Sequence, residues 1–201
     1  MYSKMHHRVL AFHGCDQAVG EKVLSGLTEL HFSKNDYDWL GNGIYFWEND
    51  PGRALHYATL LRKNPERSHT KVKYPFVIGA VIDLGYCLDL LENSSLEILK
   101  QGYELLCATN ADLPQNKSIG KEKDLLLRNL DCAVIQTVHA FKSIQKEQSF
   151  DSVRGAFWEG KDLYPNAGFK EKTHIQICVR NHNCIKGYFR PRNFNPNYSR
   201  V

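Results

Sequence analysis

The chain has 201 residues, 42% apolar and 24% charged, with a formal net charge of +4, which suits one domain with a real core and excludes fibrous or disordered classes. Its longest apolar run, FVIGAVIDLGYCLDLL from Phe76, is broken by Asp83 and Asp89 and is too short and too charged for a membrane span. The opening MYSKMHHRVLAFHGC lacks the apolar centre of a secretory signal, so we expect a cytoplasmic protein with no membrane partner.

RVLAFHGC (Arg8 to Cys15) reads as a strand ending at a His-Gly turn. DQAVGEKVLSGL follows with Val19, Val23 and Leu27 at helical spacing and Gly26 at the end. After GNGIYF, Asn49 or Asp50 is a natural N-cap and Pro51 a first helical residue. Ala54, Tyr57, Ala58 and Leu61 then share one helix face, which Pro65 ends. YPFVIGAVIDL is β-branched and predicts a strand buried on both faces. Ser94 and Glu97 form a capping box for a helix whose stripe is Leu96, Leu99, Tyr103 and Leu106. The polar loop NADLPQNKSIGKEK leads to a third helix from Asp124 to about Lys142, and SVRGAFW, THIQICVRN and CIKGYFR close the chain as strands. The pattern predicts a single α+β domain spanning 1–201, with no internal repeat and no linker.

Six cysteines, Cys15, Cys87, Cys107, Cys132, Cys178 and Cys184, occur without a CxxC pair and read as reduced. Cys178, His182 and Cys184 lack the fourth ligand of a structural zinc site, so no metal is expected. Basic residues are scattered through Lys117 to Lys123, Lys142 to Lys146 and Lys186 to Arg192, a mild attraction for phosphate-bearing partners.

Taken singly, the notable residues have ordinary explanations: His13 as a bonded histidine at a strand end, Tyr45 and Tyr57 as core aromatics with satisfied hydroxyls, Gln176 as a polar strand residue. Jointly, FHGC, GNGIYF, a helical tyrosine and a polar position on a late strand resemble the ADP-ribosyltransferase superfamily. The likeness is to its diphtheria-toxin and poly(ADP-ribose) polymerase branch, marked by a His, a Tyr and a Glu on three strands. It spans roughly Phe12 to Phe189 and implies a split mixed β-sheet with flanking helices.

The resemblance implies NAD as co-substrate, with His13, Gly14, Gly43, Tyr45 and Tyr57 holding it. Tyr45 and Tyr57 would sandwich the cationic nicotinamide between flat faces. Gly41 and Gly43 would permit a tight turn and close backbone approach. The Gly14 N–H and C=O would hold the carboxamide, and His13 the adenosine ribose. The matching strand, KTHIQICVRNHNCIKGYF, lacks the family glutamate. Gln176 is the first candidate for its place, His174 the second and Glu171 the third; His13, Tyr45, Gln176 and His174 form the expected catalytic set. A missing glutamate points to transfer of a single ADP-ribose, as in a bacterial toxin or phage-defence effector with an antitoxin partner. The alternatives are an inactive NAD- or ADP-ribose-binding module and an RNA 2′-phosphotransferase-like enzyme.

The long turn FWEGKDLYPNAGFKEKTH occupies the place of the family's acceptor loop. Tyr164 or Phe169 can stack on a nucleobase while Lys170, Lys172 and Arg154 meet phosphates, which narrowly favours a nucleic-acid acceptor over protein. The same aromatics can instead pack beneath the loop, with the lysines merely facing water. His174, as a neutral imidazole, can take the acceptor's proton.

Overall fold

The computed structural model describes residues 8–67, 71–118 and 124–192. In chain order these form β1 (Arg8–Asp16), α1 (Gln17–Leu24), β2 (Ile44–Glu48), α2 (Pro51–Lys63), β3 (Pro75–Asp83), β4 (Cys87–Asp89), α3 (Asn93–Thr109), α4 (Asn129–Ile144), β5 (Ser152–Phe157), β6 (His174–Val179) and β7 (Ile185–Phe189). Lys121 and Lys123 of the basic stretch lie outside the described residues. No helix among the described residues is long and apolar enough to cross a membrane.

Local signals set the two leading helix starts. Asp16 caps α1 by accepting from Ala18 N, and Asp50 caps α2 by accepting from Arg53 N, with Pro51 first in the helix. Leu27 falls beyond α1 and is 79% exposed, so it does not extend the stripe.

The capping box read at Ser94 and Glu97 does not form: α3 begins at Asn93, and Glu92 at its N-cap makes no side-chain cap bond. Its expected stripe is also out of phase, because Leu96 and Tyr103 are exposed while Ser95, Gly102 and Leu106 are buried. The cause is close helix packing: a Cβ at Gly102 would lie 2.4 Å from Val138 Cγ2 of α4. Small residues face the partner, so apolarity alone gives the wrong phase.

The sheet order is β4-β5-β6-β2-β1-β3-β7, antiparallel throughout except for the parallel β4–β5 pair. The α+β reading with a mixed sheet therefore holds, although the strands bond as one seven-stranded sheet. Its thin seam lies between β1 and β2. Only Ala11↔Glu48 and Phe12↔Trp47 pair there, against nine pairs between β1 and β3.

One sheet face packs Ala11, Phe46, Ile78, Ile82 and Ile177 against Val23 of α1 and Leu30. The other packs Leu88, Val153 and Cys178 against Ile135 and Val138 of α4, with Phe12 and Trp47 against Ala54 of α2 further along.

His139 of α4 is buried in that second region, edge-on to Phe150 at 5.8 Å. Neither ring nitrogen has a hydrogen-bond partner among the described residues. Burial, helped by Arg180 and Lys142, pushes its pKa down to about 3. The folded state thus refuses a proton that the unfolded chain accepts near pH 6.5, so stability is complete above that pH and falls as pH drops below it. Burial shifts His13 and His174 in the same direction. The expected slope from His139 is about 1.4 kcal/mol per pH unit below pH 6.5. Urea unfolding at about pH 7.5 and about pH 5.5 should show the loss, and His139→Leu should reduce it. Equal pH dependence in both proteins would overturn the assignment.

Candidate active site

The β1–β2 seam opens immediately after Phe12↔Trp47. Continued in register, the ladder would match His13 with Phe46 and make its next hydrogen bonds between Gly14 and Tyr45. Instead, His13 Nδ1 takes the Tyr45 carbonyl at 2.8 Å. A carbonyl only accepts, so Nδ1 carries the proton and Nε2 is left as an acceptor. Burial lowers the His13 pKa and keeps the ring neutral. The imidazole lies on the α1 face, 5.7 Å from the Phe46 ring.

Leu10 O accepts from Asn49 N at 2.9 Å, so the even residues of β1 turn their peptide groups toward β2. By that alternation the Gly14 N–H and C=O point into the parting seam. On the opposite sheet face, Gly14 allows α2 to close in: a Cβ there would lie 2.1 Å from Ala54 O. Gly14 is thus required sterically, whatever its peptide group binds.

Gly41 has φ +77°, the turn conformation expected of it. Gly43, expected to admit a ligand, is instead pressed on β6, where a Cβ would meet Cys178 Sγ at 2.5 Å and Val179 O at 2.6 Å. The Tyr45 hydroxyl braces this turn, donating to Gly41 O at 2.8 Å and accepting from Leu40 N at 3.0 Å. Burial raises its pKa, so it remains a donor.

Tyr57 packs on Trp47, centroids 5.0 Å apart and planes at 45°, and Trp47 follows Tyr45 by two residues on the same face. Trp47 was absent from the sequence-based set because nothing local distinguishes it from a core aromatic.

Gln176 sits opposite Trp47 in the β2–β6 register. Its Oε1 accepts from Trp39 Nε1 at 2.7 Å, a contact across 137 residues that no local pattern announces. Trp39 also covers Gly155, where a Cβ would lie 3.1 Å from its ring. His174, on the same face as Gln176, is buried beside Trp47 and Phe157, ring centroids 6.3 and 5.4 Å away. Glu171 is exposed and precedes the strand.

Arg154 corrects the acceptor set. Its guanidinium bonds both Glu48 oxygens, at 2.6 and 3.0 Å, and Asp89 at 2.9 Å, on the face opposite Gln176. Two carboxylates already neutralise it, so it is a structural cation rather than a phosphate holder. In the turn, Tyr164 and Phe169 are exposed, while Lys170 pairs with Asp162 at 3.1 Å and Lys172 with Glu159 at 3.4 Å. Glu159 also holds Arg53 of α2 at 3.1 Å, tying the turn to the helix.

Among the described residues no group of three or more His, Cys, Asp or Glu is placed to hold a metal ion. His182 stacks on Phe32 at 5.0 Å instead.

No family model and no solved structure matches the chain. An uncharacterized protein of Methanocaldococcus jannaschii is 27% identical over 197 residues, covering 89% of this chain and 85% of that one. The likeness carries no activity with it.

If Arg154 is structural, Arg154→Ala strands two half-buried carboxylates and should cost about 3–5 kcal/mol in urea unfolding. Lys170→Ala, which breaks an exposed pair, should cost under about 1 kcal/mol. Similar small effects for both would return Arg154 to the surface role.

Proposed function

We propose that the chain is an NAD-consuming mono-ADP-ribosyltransferase. One observation carries the reading: His13, Tyr45 and Gln176 lie on β1, β2 and β6, three consecutive strands in the sheet, at the point where the β1–β2 ladder gives way. A planar carboxamide needs a donor and an acceptor side by side, which the Gly14 peptide offers in the seam. The neutral His13 Nε2 accepts from a sugar hydroxyl. The half-buried Tyr45 ring, pinned through its hydroxyl, supplies a flat face at little entropic cost.

In the reaction, the bond from ribose C1′ to the nicotinamide nitrogen breaks with its electron pair going to the ring, which leaves neutral. A lone pair on the acceptor captures the oxocarbenium carbon, and the acceptor gives up its proton. Gln176 orients the sugar, but a neutral amide does not offset the developing positive charge as a carboxylate does.

A second reading, NAD or ADP-ribose binding without turnover, draws on the Trp39 contact. Because Trp39 N–H occupies Gln176 Oε1, the amide has chiefly its NH₂ donors to offer, and donors do not stabilise a cation.

Calorimetry with NAD and an assay for released nicotinamide separate these readings. Tyr45→Ala should weaken NAD binding by about 1 kcal/mol while Tyr45→Phe retains it. Gln176→Ala should leave affinity nearly unchanged and depress nicotinamide release, whereas Gln176→Glu should raise release about ten-fold or more. NAD binding that ignores Tyr45→Ala and His13→Ala would sink both readings. Binding that responds, with no release in either the native protein or Gln176→Glu, would leave only the binding module.

A further inference from the structure

Gly102 brings α3 close to α4, with Ser95 buried two turns earlier, and the apolar stripe of α3 is turned aside from that contact. Leu96, Leu99 and Tyr103 of the stripe line a cavity of about 450 Å³, a size typical of small-molecule sites. Helix α4 adds Leu130, Val134 and Ile135 to the lining, and Leu90 and Trp39 come from the connections beside the sheet. Trp39, Leu90 and Leu99 also pack on the core, so they form the inner end. Leu96 and Tyr103, 45% and 43% exposed, mark the mouth. An apolar stripe that the helix pair does not use, gathered with residues of three other segments around one cavity, points to an apolar occupant.

The charged groups of the lining set the other end of that occupant. Arg128 bonds one Asp131 oxygen at 3.0 Å and Asn116 bonds the other at 2.9 Å, so this carboxylate is already satisfied. Arg128 is engaged further by the Phe157 ring, 5.0 Å from its guanidinium carbon. Lys100, the remaining charged residue of the lining, makes no ion pair among the described residues. It lies four residues after Leu96 and three before Tyr103, on the stripe's side of the helix, where its stem can follow the apolar wall and its ammonium reach water. The cavity therefore joins an apolar interior to one unneutralised cation at its exposed rim. From Leu96 to Tyr103 the helix rises about 10 Å, which suits an alkyl chain of medium length.

We propose that this cavity is a binding site for a medium-chain alkyl carboxylate, with the chain between α3 and α4 and the carboxylate at Lys100. The chain ends against Trp39, whose indole N–H bonds Gln176 Oε1 at 2.7 Å. The site is separate from the β1–β2 seam and needs no NAD.

The test titrates the ¹⁵N-labelled full chain with hexanoate, octanoate and decanoate below their micelle concentrations. It reads the indole N–H signals of Trp39, Trp47 and Trp158, the first identified by its loss in Trp39→Phe. The Trp39 signal should shift saturably, Trp158 on the exposed turn should not, and affinity should rise about four-fold per added methylene until the cavity is full. Lys100→Gln should weaken decanoate about five-fold and leave decanol unchanged. Leu96→Glu, at an exposed position that leaves the fold intact, should weaken decanoate at least ten-fold by setting a second carboxylate at the mouth. No saturable Trp39 shift, or unchanged decanoate binding in Leu96→Glu, overturns the site. A Lys100→Gln change that affects decanoate and decanol alike, or neither, overturns the carboxylate. Decanoate that acts only by dissociating a dimer, seen by sedimentation, gives the cavity to a second copy of the chain and overturns the small ligand.

Discussion

The bond from His13 to the Tyr45 carbonyl is the contact on which the seam depends. A sheet cannot simply part, since each peptide group leaving the ladder must be satisfied or pay desolvation. By capping the Tyr45 carbonyl, the imidazole replaces the ladder bond that Gly14 would have made. The strands separate, and the Gly14 peptide is turned toward whatever enters. One side chain therefore closes a structural gap and opens a chemical one.

The surroundings of that seam are nearly neutral. Arg154 is held by Glu48 and Asp89 on the opposite face, and burial keeps His13 and His174 uncharged. Tyr45, Trp47, Gln176 and Trp39 supply aromatic surface and fixed dipoles. On the transferase reading proposed above, such a lining would suit a cationic ring held by quadrupoles and would do little to stabilise a sugar cation.

Much of the fold was legible because it follows local rules. The strand at Arg8, the Asp50 cap with Pro51, and the β-rich close all rest on alternation or capping within a few residues. The phase of α3 was not legible, because Gly102 and Ser95 face a helix that apolar counting ignores. In the candidate site, His13, Tyr45 and Gln176 were singled out through the family resemblance, and the sheet order sets them on neighbouring strands. Trp39, Arg53 and Glu159 were not, since each acts through contacts more than a hundred residues away in sequence. The misassignment of Arg154 has the same origin: a basic residue on a strand shows its charge in sequence but not the carboxylates opposite it.

Helix α2 links these features. Gly14 lets its Ala54 carbonyl settle against β1, closer than any side chain permits. That placement lays Tyr57 over Trp47 and brings Arg53 to Glu159 at the base of the exposed turn. The turn reaches His174 in its own way, through the Lys172 carbonyl. The seam and the base of the turn are thus fixed by the same close approach of helix to strand. A larger residue at position 14 would fail twice, lifting α2 from the sheet and loosening the hold of Arg53 on the turn. A glycine after the histidine is needed here for packing alone, so its presence by itself does not argue for a ligand; the parted ladder beside it does.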